Sequence, residues 1–418
     1  MTGHFYNFFI FLYWFCIHLA YPFSHKARQW VKGRRKWKQK LLEITNSKEK
    51  RIWFHCSSLG EFEDGRTVIE SCKRKYPSIK IILTFSSPSG YENLKDYVFA
   101  DHKMYMPYDF KRNVKAFIAI LDPCAVFFIR SEIWINYIRE IQSKKIPFYL
   151  ISLNLDLNSR FITWPFKTMA TKAFKAFDLI FCQNERTVSL LSKLIGHQNL
   201  KLSGNTRIDR ILEVSGQQYV NKRISDFIEH SFCILAGSIT AQEEKIIYKA
   251  MNNLKQYSIK WIIAPHEINK KKIEASVYRN PDRIMSLSGT NEPHQHEIMY
   301  VDRIGILSQL YRFANVAIIG GGFSKKGIHN IMEAAVYGIP VIFGPNHRNY
   351  DEALELISGN FAAIYHNAKD LETAINFFYD KRNDTLFHHE IKELINKRTG
   401  ATERINLILA GRLNVLVS

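Results

Sequence analysis

The chain has 418 residues, enough for two or three domains, and with 46% hydrophobic and 23% charged residues it can build full cores. Those fractions exclude the disordered, collagen-like and low-complexity classes. The excess of 58 Lys and Arg over 39 Asp and Glu, a formal charge of +19, asks for an anionic partner: nucleic acid, a membrane surface or a phosphorylated substrate. Six cysteines (Cys16, Cys56, Cys72, Cys124, Cys182, Cys233) are scattered without a CxxC pair. That pattern speaks against a disulfide framework or a zinc site and suits a reducing compartment.

The first 50 residues carry ten Lys and Arg against two Glu. Within them residues 5–23, FYNFFIFLYWFCIHLAYPF, hold no charge. Nineteen such residues are just enough for a helix to cross a bilayer, although Phe, Tyr and Trp favour its interface. No positive charge precedes the run and no small-residue cleavage site follows, so a signal peptide fits poorly. Lys26, Arg28, Lys32, Arg34, Arg35, Lys36, Lys38 and Lys40 come next, with Trp30 and Trp37 among them. Such a stretch stays on the cytoplasmic side and adheres to anionic lipid. The expectation is a membrane anchor over 1–24, spanning or monotopic, with the rest cytoplasmic; the alternative is a buried N-terminal helix with a solvated basic neighbour.

From residue 50 onward, apolar runs suited to buried parallel strands alternate with helical stretches. The first series of strands is expected at 52–55, 79–84, 125–129, 148–152, 179–182 and 201–203, with helices over 61–75, 134–143 and 185–194. A second series follows at 233–236, 261–264, 298–301, 316–319 and 340–343, with helices over 241–254, 305–313, 331–337 and 351–357. The polar stretch 213–221 reads as the link, and 386–416 as amphipathic helix. The alternation occurs twice, which predicts two doubly wound α/β domains around a cleft. Ligands of such sheets sit beyond the carboxyl ends of the strands.

The richest strand-to-helix turn is VAIIGGGFSKKGIHNIMEAAVYGIPVIFGP. Gly320, Gly321 and Gly322 allow close backbone approach to a phosphate, and a helix beginning near His329 would add its dipole. Asn330 and Glu333, three apart, share a helical face, and a carboxylate there suits ribose hydroxyls. The GxGxxG fingerprint is absent, so a dinucleotide is not implied. In RIWFHCSSLGEFEDGR, Glu61 opens a helix past the first strand, where the dipole would keep it ionised as a general base requires. Glu63 and Asp64 compete with it on position. Arg207 in SGNTRIDR suits a phosphate or carboxylate, and His266 in WIIAPHEINKKK could touch a phosphate. The run EPHQHE lacks the helical spacing and third ligand of a metal site. No metal and no cofactor are expected.

Taken in order, HCSSLGE, YMPYD, SEIWIN, SGNTRID, AGSITAQEE, APHE, GGGFSKKGIHNIMEAA and PVIFGPNHRNYDEA resemble the 3-deoxy-D-manno-octulosonic acid (Kdo) transferase family across most of the chain. The resemblance implies a glycosyltransferase B fold of two Rossmann-like doubly wound domains facing a cleft, with an N-terminal membrane-anchor helix. The division would be anchor 1–24, acceptor domain 25–212, donor domain 213–385 and C-terminal helices 386–418. It implies CMP-Kdo as donor, lipid IVA as acceptor, inversion without metal, an anionic membrane surface as partner, and a place at the inner membrane. Glu61 falls on the family's base. Arg207 stands where a lysine is common. Pro265 and His266, Ile304, Gly305 and Ile306, and Asn330, Ile331, Met332 and Glu333 fall on the CMP-binding stretches, beside Gly321 and Gly322. Two departures stand out. The family's acid-x-acid is here Arg130-Ser131-Glu132, and its Pro-Arg-His reads Pro265-His266-Glu267, for which Lys325 and Lys326 could compensate. Other readings are a related transferase with another nucleotide sugar, a sugar-nucleotide epimerase, or a basic nucleic-acid-binding protein. No nucleic-acid module is recognisable, so nucleic acid is not an expected partner.

Overall fold

Apolar runs without alternation make strands buried on both faces, and this chain uses them to build two all-parallel sheets. The computed structural model describes residues 2–45, 49–94, 96–130, 132–155, 159, 167–255, 257–290, 292–325, 327–347 and 350–417. They form two compact units: Met1–Arg210 together with Thr399–Ser418, and Ile211–Arg398. Both are Rossmann-like α/β units.

In the first unit the strands are β1 (Arg51–Cys56), β2 (Lys80–Phe85), β3 (His102–Tyr105), β4 (Ala125–Ile129), β5 (Phe148–Leu153), β6 (Leu179–Cys182) and β7 (Leu200–Leu202). Their order is β3-β2-β1-β4-β5-β6-β7, which reverses between β1 and β4. Alternate residues feed two cores. Trp53, Val126, Phe128 and Leu150 point to one face, and Ile52, Phe54, Phe127, Ile129 and Tyr149 to the other. The second face is closed by the helix Leu59–Lys75 through Phe62, Val68 and Ile69. The C-terminal helix Ala401–Val417 joins it there, burying Ile405, Leu409 and Leu413 four residues apart. Asp209 caps that helix, accepting from the backbone N–H of Gly400 at 2.7 Å and of Thr402 at 2.6 Å. The C-terminal residues are therefore divided between the units. Thr385–Asn396 lies in the second and Ala401–Val417 in the first. The boundary between the units falls inside the helix Thr206–Gly216, so residues 213–216, read as linker, are helical.

The second unit holds β8 (Phe232–Ile239), β9 (Ile259–Pro265), β10 (Ile284–Ser286), β11 (Ile298–Tyr300), β12 (Val316–Ile319), β13 (Val341–Phe343) and β14 (Ala362–Ile364). Their order β10-β11-β9-β8-β12-β13-β14 reverses between β8 and β12. Three strands in the two sheets, β3, β10 and β14, lie at sheet edges and escaped the sequence pattern.

The expected membrane span needs correction. The N-terminal helix α1 covers Thr2–Leu19, and among the described residues no helix is long and apolar enough to cross a membrane. At 1.5 Å per residue it falls a little short of a hydrocarbon core of about 30 Å. Its inner face is built into the first unit instead. Tyr6 Oη donates to the Asp109 carboxylate and accepts from the backbone N–H of Ile135 at 3.2 Å. Asn136 donates its side-chain amide to Asn7 Oδ1 at 2.9 Å, and Trp14 meets the edge of Phe110. The outer face exposes Phe5, Phe8, Phe9, Leu12, Phe15 and Leu19. The basic stretch forms α2 (His25–Gly33) and α3 (Trp37–Ile44). Arg34 between them is buried. It donates to the carbonyls of Trp30, Ser86 and Met106 and stacks 4.0 Å from the Trp30 ring.

Candidate active site

The reversal of strand order between β1 and β4 places two chain turns side by side at the carboxyl end of the first sheet. After β1, Ser58 caps the helix Leu59–Lys75 and Glu61 occupies its third position. The Glu61 carboxylate reaches back and accepts from the backbone N–H of Ser57 at 2.5 Å. Its two rivals are committed elsewhere. Glu63 pairs with Arg66 at 3.3 Å, and Asp64 accepts from Arg130 Nε at 2.5 Å. Among the described residues, Glu61 alone of the three has no ion-pair partner within 4 Å.

After β4 comes Arg130, then Ser131, which lies outside the described residues, then Glu132. Glu132 accepts from Trp134 Nε1 at 2.5 Å and faces His55 Nε2 at 3.3 Å. His55 is the penultimate residue of β1 and is fully buried. Its Nδ1 lies 2.8 Å from Thr84 Oγ1, which already accepts from Trp53 Nε1 at 2.8 Å. The other outlet for the threonine proton, the Phe54 carbonyl, is 3.5 Å away. Thr84 therefore donates to Nδ1, and the imidazole carries its proton on Nε2, which faces Glu132 Oε2 and Ser86 Oγ, each at 3.3 Å. Two N–H donors thus hold the Glu132 carboxylate beside the Glu61 turn.

The consequence for Glu61 corrects the expectation from the helix dipole. Burial, and then the negative charge of Glu132, push the Glu61 carboxyl up to about 8. The Ser57 N–H and the Arg130 cation oppose the rise without cancelling it. Glu61 is a carboxyl poised near neutrality rather than one kept ionised. Sequence reasoning named Glu132 only within a departure from the family pattern and gave neither it nor His55 a role in the site. Their signals were a polar residue near the end of an apolar strand and a tryptophan two residues past the acid.

Arg207, the second residue of the helix Thr206–Gly216, is half-buried, and its backbone N–H donates to Asn205 Oδ1 at 3.1 Å. Among the described residues its guanidinium has no hydrogen-bond or ion-pair partner, and none of its contacts reaches Glu61.

The second unit gathers most of its expected residues where β8 and β12 adjoin. His266 follows Pro265 at the end of β9 and donates its backbone N–H to the Ile239 carbonyl at 2.9 Å. Its exposed ring lies 4.7 Å from that of His329, whose imidazole is pushed below its ordinary value by burial and by His266. The His329 backbone donates to Gly320 at 2.9 Å. Gly321 adopts φ +92°, which glycine accepts readily, and Gly322 is buried next to it. Asn330 donates to Glu333 Oε1 at 3.0 Å, and its own Oδ1 accepts from the backbone of Met332 at 3.2 Å. The helix begins later than expected. It is a single turn, Met332–Ala335, and His329 precedes it in irregular chain. Ile331 and Met332 are buried and serve packing. Gly305 takes φ +86° and Ile306 opens the short helix Leu307–Leu310, but Ile304 is 89% exposed and touches none of this. Lys325 is exposed, and Lys326 lies outside the described residues. Among the described residues no group of three His, Cys, Asp or Glu could hold a metal ion.

Residues 35–210 match the family profile described as 3-deoxy-D-manno-octulosonic-acid transferase (kdotransferase). The 3-deoxy-D-manno-octulosonic acid transferase of Aquifex aeolicus is 27% identical over 348 residues, covering 82% of this chain and 90% of that protein. That of Rickettsia bellii is 25% identical over 385 residues, covering 87% of each. Among solved structures, the UDP-GlcNAc 2-epimerase of Neisseria meningitidis aligns with a TM-score of 0.59 at 16% identity, covering 86% of this chain and all of that one. A glycosyltransferase from Rickettsia africae aligns at 0.55 and 14%, covering 88% and 98%. The structural likenesses show the fold.

Proposed function

The chain belongs to the 3-deoxy-D-manno-octulosonic acid transferase family, glycosyltransferases of lipopolysaccharide biosynthesis, and from that premise we propose that it moves Kdo from CMP-Kdo to lipid IVA with Glu61 as general base. One observation carries the assignment of the base: the half-buried carboxyl at the carboxyl end of β1, without an ion-pair partner among the described residues and pushed up to about 8. A base works best with its pKa near the operating pH. Glu61 takes the proton of the attacking acceptor hydroxyl as that oxygen bonds to the anomeric carbon. The bond from that carbon to the phosphate oxygen breaks, and CMP leaves with the electron pair. Direct attack inverts the centre. The backbone N–H groups of Gly321 and Gly322 and neutral His329 receive the nucleotide phosphate, Glu333 the ribose, and Arg207 the charge that develops on the leaving group.

The lipid acceptor implies a membrane surface. The outer row of α1, with Phe5, Phe8, Phe9, Leu12, Phe15 and Leu19, suits the headgroup boundary, and the lysines and arginines of α2 and α3 suit anionic lipid. We assign the enzyme to the cytoplasmic surface of the inner membrane, held by adhesion.

Purified protein with CMP-Kdo and lipid IVA should yield lipid IVA heavier by Kdo, read by mass spectrometry. No product with both substrates present would overturn the reading. The same assay tests the environment of the base. Activity requires ionised Glu61, so kcat/KM should rise with pH through about 8. Glu132→Gln removes the neighbouring negative charge, eases that ionisation, and should move the rising limb down by roughly one pH unit. A limb that stays in place would show that Glu132 does not set it.

A further inference from the structure

Two of the strings that stand out in the sequence, YMPYD and SEIWIN, have no part yet in the reaction, and in the fold they meet at the start of the helix Ile135–Ser143. The first turn of a helix leaves its backbone N–H groups without partners inside it, and a Ser, Thr, Asp or Asn at the cap ordinarily answers one of them. Here the cap is Trp134, whose side chain has no acceptor to offer. Its indole serves Glu132 instead, donating at 2.5 Å. The capping is done from a distance. Asp109, 1% exposed, accepts from the N–H of Asn136 through Oδ2 and from that of Tyr137 through Oδ1, each at 3.2 Å. The first N–H, that of Ile135, goes to Tyr6 Oη at 3.2 Å, and the same hydroxyl donates to Asp109. The fourth, that of Ile138, returns to the Trp134 carbonyl at 2.9 Å. Every N–H of the turn is thus accounted for, and Tyr6, on α1, completes the set.

A tyrosine that only fastened α1 would need a single acceptor. This one uses its hydroxyl in both directions, at the residue next to the tryptophan that holds Glu132. Burial, and then the charge of Asp109, keep the hydroxyl far above its ordinary value, so it stays protonated around neutral pH and goes on donating. Glu132 adds to that rise, so its charge is felt at Tyr6 as it is at Glu61.

We propose that Tyr6 is a positioning residue of the transfer reaction: through its bonds to Ile135 and Asp109 it fixes Trp134, and so keeps Glu132 beside Glu61. The inference rests on the reading of Glu61 as the base of a transferase. It gives α1 a second duty besides adhesion, since the helix that offers its outer row to lipid also sets, by its inner face, the turn that stands against the base.

The test compares wild type with Tyr6→Phe, Trp134→Phe and Asn7→Ala. Each is assayed for the pH dependence of kcat/KM and, without turnover, for the titration of Glu61 by NMR of carboxyl-labelled glutamate, its signal assigned by loss in Glu61→Gln. Tyr6→Phe keeps the ring and its packing and removes the hydroxyl; Trp134→Phe removes the N–H. Both should move the rising limb and the titration midpoint down by roughly half a pH unit, less than Glu132→Gln because His55 still faces the carboxylate. Combined with Glu132→Gln, neither should move them further than Glu132→Gln alone. Asn7→Ala loosens α1 from Asn136, whose side chain keeps the Asp109 carbonyl at 2.6 Å, and should leave limb and midpoint in place. Asp109 cannot mimic the result. Burial pushes its carboxyl up to about 7 and the Tyr6 hydroxyl opposes that rise, so losing the hydroxyl drives Asp109 upward, opposite to the shift expected of Glu61. A midpoint unmoved in Tyr6→Phe would overturn the proposal, as would a shift that Trp134→Phe does not share, that Asn7→Ala equals, or that adds to Glu132→Gln. A lowered melting temperature as the sole effect of Tyr6→Phe would overturn it too. A wild type whose Glu61 titrates near 8 but which never transfers would sink the transferase reading separately, leaving the NMR comparison to decide on Tyr6.

Discussion

Replacing Glu61 by Gln is expected to lower kcat for transfer by about 10²–10⁴-fold, the range a positioned general base supplies, while CMP binding persists. The amide keeps the shape of the side chain and can still accept from the Ser57 N–H through its oxygen, so geometry is preserved and only the proton acceptor is lost. Glu63→Gln is the control. Its carboxylate is tied to Arg66, and activity should remain within threefold of wild type. A second readout separates lost chemistry from lost folding. The Glu61 carboxyl is raised to about 8 in the folded protein, from about 4.3 in an unfolded chain. Between those values the folded state binds the extra proton, so stability falls as pH rises from about 4 to about 8. A neutral Gln escapes this loss. The melting temperature of the variant should therefore exceed that of wild type at pH 9, with less difference at pH 5. Lost transfer together with raised stability at high pH is the signature of a group held against its own preference for the sake of catalysis. Transfer retained within tenfold at pH 9 would remove Glu61 from the mechanism.

The sequence announced what depends on neighbours along the chain and concealed what depends on neighbours across it. Runs such as RIWFHC, all six residues of which are buried, declare a strand covered on both faces, and the glycines after β12 declare a tight turn. The edge strand His102–Tyr105 declares nothing, because two of its four residues are polar and only half-buried. Residues 5–23 illustrate the deeper difficulty. The same uncharged aromatic run serves a bilayer or a protein surface. What decides is that Tyr6 and Asn7 meet Asp109 and Asn136, more than a hundred positions away. The site divides in the same manner. Glu61 was visible as an acid opening a helix. Its raised pKa was not, because it arises from burial and from Glu132 in the turn after another strand, itself held by His55 of β1 and by Trp134. The helix dipole, a local effect, was the part that could be read, and it lost to desolvation.

In the second unit the largest effect should come from Gly320→Ala. A Cβ on Gly320 would lie 2.1 Å from the carbonyl oxygen of Ser238 and 2.7 Å from its carbonyl carbon. These are backbone atoms at the end of β8, where Ser238 sits at φ +57° and the pairing with β9 shifts register. No side chain can swing aside to make room. The added methyl must separate the ends of β8 and β12 or break the bonds that Gly320 makes: its N–H to the Gly237 carbonyl at 2.9 Å, and the His329 N–H to its own carbonyl at 2.9 Å. Forcing one carbon into packed surroundings costs about 1–3 kcal/mol, and rigid backbone puts this site at the upper end. For a unit of this size each kcal/mol lowers the melting temperature by about 2–4 °C. Gly216→Ala provides the contrast, since a Cβ there meets nothing within 4 Å and alanine should be neutral or slightly stabilising. The functional consequence follows from the same geometry. Displacing Gly320 shifts the adjoining Gly321 and Gly322, whose backbone N–H groups are proposed to face the nucleotide phosphate, so the variant should lose the thermal protection that CMP gives wild type, beyond its own destabilisation. A variant that melts lower but gains as much from CMP as wild type would show that the three glycines serve only the close passage of two strand ends, and that the phosphate is held elsewhere.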